Sequence, residues 1–233
     1  MVFNFVPPYN GSDSLPLSKR TLLYLRNMAD SLRHGKREIP VLIGIATMLT
    51  ADLREELYVA AKGLSHKSTI LEIGCYAGGS TYFLGKGAII SDSHVFSIDP
   101  FRSSIEKQEM NGDGSNYFEH LSSKPSKQEV EAMLRYHKLE DRVTLIEGFS
   151  TEVVRGWDHR KISFFFIDGN HRQARSDYDA WKPHLAPHAL IAFDDSNYPL
   201  GKELVTRDVH GIIRSEPVTL IKRIGKLTVL QLT

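Results

Sequence analysis

ISFFFIDGNHRQARSDYDAWKPHLAPHALIAFDDS, residues 162–196, is the stretch whose reading decides the fold. It holds two apolar runs, 162–167 and 189–193, and each stops abruptly at acid: the first at Asp168, the second at Asp194 and Asp195. Continuous apolar runs of this length, separated by a helix-length segment, predict buried parallel strands. Ligands of open α/β sheets bind at the carboxyl ends of the strands. Asp168, Asp194 and Asp195 are therefore expected to converge on one rim. A single aspartate there would read as a helix cap or a solvated side chain. Three hard oxygen donors at two strand ends, with His171 three residues after the first, suit Mg²⁺ or a similar cation.

Working outward, strand and helix patterns alternate. Strands are predicted at 69–73, 94–98, 142–146, 162–167 and 189–193. Helices are predicted at 80–85, 127–137, 151–155, 171–185 and 200–214. Such alternation implies a doubly wound, mostly parallel sheet with right-handed crossovers. The end departs from it: Gly225 alone separates two strand-length stretches, 218–224 and 226–232, and signals a hairpin with an antiparallel last strand. The expected fold is a seven-stranded α/β sandwich over 65–233, preceded by a helical extension over 1–64. In that extension the sequence predicts helices at 18–34, with an apolar stripe, and at 50–62, ended by Gly63. Residues 99–124 lack periodicity and, following a strand, are expected to lie over the binding rim. His184 and His188 flank Pro187 and read as turn residues before the strand at 189. Phe164, Phe165, Phe166 and Trp181 read as core.

The run TILEIGCYAGGST, residues 69–81, ends a strand at Glu72-Ile73, turns at Gly74 and passes Gly78 and Ser80 into a helix. Glycine lets backbone approach a ligand closely. Twenty-five residues after Gly74 the next strand ends at Asp99, the place of an acid that takes ribose hydroxyls. A dinucleotide fingerprint needs glycine two places after Gly74, where Tyr76 stands. An E-x-G-x-x-x-G loop suits instead a nucleoside cofactor without a pyrophosphate. This disfavours a nicotinamide oxidoreductase. Cys75, beside Gly74 in that loop, is the only cysteine. It reads as a buried small side chain rather than a nucleophile, and it excludes an intrachain disulfide.

Composition bounds the partners. The net charge of +1 with neutral histidines argues against a nucleic-acid face. No run of apolar residues is long enough for a membrane span, and the start, MVFNFVPPYN, does not read as a signal peptide. With the lone cysteine, these features place the expected protein in the cytoplasm, acting on a small molecule. Assembly into a homo-oligomer is left open.

Glu72-Ile73-Gly74 with Gly78, Asp99, the segment Glu147-Gly148-Phe149-Ser150 and the terminal hairpin together resemble the class I S-adenosylmethionine-dependent methyltransferases. The resemblance implies that Glu72, Gly74, Cys75, Tyr76, Gly78 and Ser80 line the cofactor. It further implies that Asp99 takes the ribose, that Gly148, Phe149 and Ser150 lie beside the adenine, and that Asp168 reaches the same site. A narrower likeness rests on Asp168-Gly169-Asn170-His171 and on Asp194-Asp195 beginning 26 residues after Asp168. It is similar to the metal-dependent O-methyltransferases of the macrolide-sugar and cephalosporin-hydroxylase-like group. That likeness implies Mg²⁺ held by Asp168, Asp194 and Asp195, with His171 as general base. Transfer of a methyl group to a hydroxyl of a sugar or secondary metabolite is the expected activity. The alternatives are a metal-independent N- or protein methyltransferase and a non-catalytic nucleoside-binding scaffold.

Overall fold

The computed structural model describes residues 47, 49–101, 125–158, 160–197 and 204–233. The expected helix at 18–34, nearly all of the loop at 99–124 and the first residues of the helix expected at 200–214 lie outside them.

Seven strands form one sheet: β1 (Thr69–Ile73), β2 (His94–Asp99), β3 (Val143–Glu147), β4 (Ile162–Ile167), β5 (Leu185–Phe193), β6 (Val218–Ile224) and β7 (Leu227–Leu232). Their order is β3-β2-β1-β4-β5-β7-β6. The first five run parallel, and β7 lies antiparallel to both β5 and β6. The described helices are α1 (Ala51–Lys62), α2 (Gly79–Ser91), α3 (Lys127–Tyr136), α4 (Ser150–Val153), α5 (Ala174–Trp181) and α6 (Leu204–Ser215).

The apolar run of β4 shows why the sheet is covered on both sides. Side chains alternate across a strand. Phe164 and Phe166 join the core under α1, α2 and α3, whereas Phe165 and Ile167 join the core under α5 and α6. Leu53, Leu57 and Ala61 of α1 are buried in the first of these cores, so this helix packs with the sheet although it precedes residue 65. On the other face Tyr178 and Trp181 of α5 are fully buried against the sheet.

Three of the boundaries that differ from expectation bear on the packing and the site. Helix α2 runs on to Ser91 rather than ending near Gly85, because its small residues Gly85, Gly87 and Ala88 are buried against neighbours. A Cβ at Gly87 would meet the backbone oxygen of Tyr58 in α1 at 2.6 Å. Strand β5 begins at Leu185, not at 189: Ile162 pairs with Leu185 and Phe164 with Leu190, so the residues between them bulge out of the ladder. His188 lies in that bulge with φ +60°. The third concerns His171. Helix α5 starts at Ala174, because Asn170 turns the chain first. Its side chain accepts from the Arg172 N–H at 3.0 Å, and its carbonyl from the Gln173 N–H at 2.8 Å.

Candidate functional site

The carboxyl ends of β1, β2, β4 and β5 meet at one rim, held by hydrogen bonds that continue the parallel ladder. Gly74 N–H donates to the Ile98 carbonyl, Asp168 N–H to that of Ile73, and Asp194 N–H to that of Ile167, each at 2.9–3.0 Å. Gly74 has φ +88°, and a Cβ there would stand 2.2 Å from the Asp168 carbonyl oxygen. Only glycine satisfies both the left-handed backbone and that close approach. The loop after β1 and the acid after β4 are thereby one structural unit.

Asp99 organises the loop. Its Oδ2 accepts the N–H groups of Cys75 at 3.1 Å and Tyr76 at 3.0 Å, and its Oδ1 accepts that of Phe101 at 2.7 Å. The expected ribose acid is therefore also the clamp of the glycine loop.

Beneath the loop Glu72 is fully buried. Its Oε2 accepts from Thr81 Oγ1 at 2.6 Å and Ser97 Oγ at 2.5 Å, while Oε1 has no partner. Burial pushes its pKa up to about 7, against the opposing hydroxyl bonds. An acid with a raised folded pKa stabilises the fold below its ordinary value near 4.5 and loses that contribution as pH rises through about 7. The shift corresponds to about 3 kcal/mol. Between pH 4.5 and 7.5 wild-type protein is thus expected to lose stability that Glu72→Gln does not lose. Chemical denaturation across that range checks this, and parallel pH profiles for the two proteins would refute it.

On the other side of the rim Gly148 and Phe149 lead into α4, where Ser150 donates a short hydrogen bond to Asp177 of α5. Burial pushes the Asp177 carboxyl up to about 6. This bond ties the segment expected beside an adenine to the helix that follows Asp168.

Asp168, Asp194 and Asp195 offer oxygens that all lie within 4.8 Å of one another. Two unit charges at that separation repel by about 3 kcal/mol at an effective dielectric near 20. Burial, then the neighbouring Asp194 charge, drives the Asp168 carboxyl well above its ordinary range. Burial raises Asp194 too, and Lys226 opposes the rise. Asp194 is 3% exposed, and its Oδ1 has no partner. A hard oxygen cluster with an orphaned buried oxygen and unbalanced negative charge has the donor set of a divalent-cation site.

His171 stands at the edge of this cluster, 48% exposed, with Nε2 3.0 Å from Asp195 Oδ2. Its contact is with the second acid of the pair. Helix α5 starts only at Ala174, so His171 stands in the turn ahead of the helix rather than in its first turn, and the Asp195 contact orients the ring. When Nε2–H is donated to that carboxylate, the acceptor nitrogen of a neutral ring is Nδ1.

Sequence reading missed Lys226. Its Nζ lies 2.8 Å from Asp194 Oδ2 and 2.9 Å from Asp195 Oδ1. In sequence it is only the residue after a hairpin glycine, 31 positions beyond Asp195. Nothing in its local pattern marks it as part of an acidic rim.

Comparison with known proteins gives a matching frame. A family model described as a methyltransferase domain matches residues 71–196, the span from the middle of β1 to the turn after β5. The fold resembles the O-methyltransferase NovP, at 16% identity and TM-score 0.64, with 88% of each chain covered. It also resembles the O-methyltransferase TomG from Streptomyces achromogenes, involved in tomaymycin synthesis and solved with SAM, at 18% identity and TM-score 0.59, with 89% of each chain covered. An O-methyltransferase from Bacillus cereus in complex with SAH matches at 16% identity and TM-score 0.56, covering 94% of this chain and 92% of its own. At these identities the likeness is one of fold.

Proposed function

The chain belongs to the methyltransferase-domain family, and from that premise we propose that it transfers the methyl group of S-adenosylmethionine to a hydroxyl oxygen of a small molecule, with a divalent cation at Asp168, Asp194 and Asp195. The observation that carries this reading is the junction at Gly74, where the glycine loop meets the backbone of Asp168. A cofactor on the loop and an acceptor at the acids would then be neighbours.

The residues around the loop divide the work of holding the cofactor. The backbone of Gly74, Cys75, Tyr76, Gly78 and Ser80 forms the cradle, set by the Asp99 clamp. Asp99, at the carboxyl end of β2, stands where an acid of this fold takes the ribose hydroxyls. Gly148, Phe149 and Ser150 offer a polar and aromatic edge for the base. Glu72, accepting from Thr81 and Ser97, stiffens the strand end, and burial keeps its carboxyl partly protonated at neutral pH.

At the acids, a bound cation would acidify an alcohol that is otherwise a poor nucleophile at neutral pH. His171 accepts the hydroxyl proton at Nδ1, and Asp195 fixes the ring by its contact to Nε2. The rest of the task is alignment of acceptor oxygen and methyl carbon. The acceptor class, a sugar or secondary-metabolite hydroxyl, rests on the resemblance of the Asp168–His171 and Asp194-Asp195 motifs.

The test is calorimetry followed by chelation. The protein is expected to bind S-adenosylhomocysteine in preference to NAD. Methyl transfer to hydroxylated metabolites is expected to disappear on EDTA treatment and return with Mg²⁺. Full-rate transfer by the chelated protein would select a metal-independent enzyme instead.

A further inference from the structure

The turn between β6 and β7 is built to deliver one side chain to the acids. Gly225 adopts φ +54°, which lets the hairpin turn on itself. The chain just after Asp195 then grips it. Ser196 N–H and Asn197 N–H donate to the Lys226 carbonyl at 2.8 and 3.2 Å, and Asn197 Nδ2 donates to the Gly225 carbonyl at 2.8 Å. Asp195 itself has φ +50°, a conformation aspartate tolerates better than most residues. The backbone of Lys226 is therefore fixed to the same turn that carries Asp194 and Asp195. Only its side chain retains freedom, and that side chain is 25% exposed.

We propose that Lys226 is a built-in cation of the acidic rim, whose ammonium competes with a divalent cation for Asp194 and Asp195 and so sets how tightly that cation binds. This rests on the cation reading of the acids. An ammonium group with one carboxylate oxygen from each acid inside 3 Å occupies the space between them. A cation coordinated by those two oxygens needs the same space, and it repels the ammonium at short range. The clamped hairpin cannot withdraw, so entry of the cation requires the flexible lysine stem to swing outward. In the absence of the cation, Lys226 keeps the two acids in place and offsets part of their mutual repulsion.

Titration of chelator-treated full-length protein with MgCl₂ or MnCl₂ alone, followed by calorimetry, tests this. Lys226→Met and Lys226→Gln remove the charge, and Lys226→Arg keeps it. Both neutral variants are expected to bind Mn²⁺ and Mg²⁺ at least about tenfold more tightly than wild type, and the arginine variant close to wild type. Without metal the neutral variants should melt below wild type, and saturating Mg²⁺ should close that gap. Binding by a neutral variant where wild type gives no heat also supports the proposal, as the limit of strong competition. If wild type and a cooperatively melting neutral variant bind equally, or the variant binds more weakly, the role of Lys226 is overturned and the cation site stands. If none of the proteins binds either metal, the cation reading and the proposal fall together.

Discussion

Asp168→Ala is expected to abolish cation binding and lower the methyl-transfer rate by about 10³-fold or more, while leaving affinity for S-adenosylhomocysteine within a few-fold of wild type. The rate effect follows from losing several kcal/mol of alkoxide stabilisation, at about 1.4 kcal/mol per tenfold. The expected stability effect runs against the usual rule for buried residues. The Asp168 carboxyl is held well above its ordinary range by burial and by Asp194. Such an acid stabilises the fold only below its unfolded pKa, and that contribution is lost as pH rises through the folded value. At neutral pH its removal therefore relieves repulsion. Asp168→Ala, and Asp168→Asn with nearly unchanged volume, should melt no lower than wild type in the absence of metal. The backbone bond from Asp168 N–H to the Ile73 carbonyl survives either change. Loss of activity with stability retained or gained is the pattern of a residue kept for function. Wild-type kcat in metal-free Asp168→Ala would remove the cation from the reaction.

His171→Ala is expected to lower kcat by about 10²–10⁴-fold, the usual contribution of a positioned general base. Because the side chain is 48% exposed and makes its contact to Asp195 at the rim, folding should be little affected. Cation affinity should change by less than about tenfold, since Asp168, Asp194 and Asp195 all remain. His171→Gln keeps a hydrogen-bond donor toward Asp195 but cannot take up a proton at neutral pH. Equal losses in the two variants would identify proton acceptance as the role. Recovery of activity in His171→Gln would show instead that the ring only orients Asp195. A variant with near wild-type kcat at saturating Mg²⁺ would take His171 out of the mechanism.

The features legible in the sequence were those with a local signature. Apolar runs ending in acid identified β4, broken only by Ser163, and the carboxyl half of β5, because a strand covered on both faces is apolar at nearly every position. The glycine loop was legible because Gly74 meets a demand of its own backbone, φ +88°, that few other residues satisfy. The hairpin was legible from Gly225 for the same reason. The start of β5 was not, since the bulge at 186–189 places polar and proline positions inside the strand. Nor was the start of α5, where the Asn170 turn consumes residues that a helical pattern would have claimed.

By itself, then, the sequence determined the doubly wound sheet, the loop after β1 and the set of acids that end β4 and β5. Periodicity and backbone demands act over a few residues and are written where they act. Tertiary structure alone decided what those acids touch. Lys226 reaches Asp194 and Asp195 because β7 pairs antiparallel with β5. Asp99 clamps Cys75 and Tyr76 because β1 and β2 run parallel and in register. His171 faces Asp195 because its turn ends before α5 begins. These contacts join residues distant in the chain through strand pairing and burial. Charge interactions depend on distance and dielectric, so the electrostatics of the rim came into being only when the sheet brought its ends together.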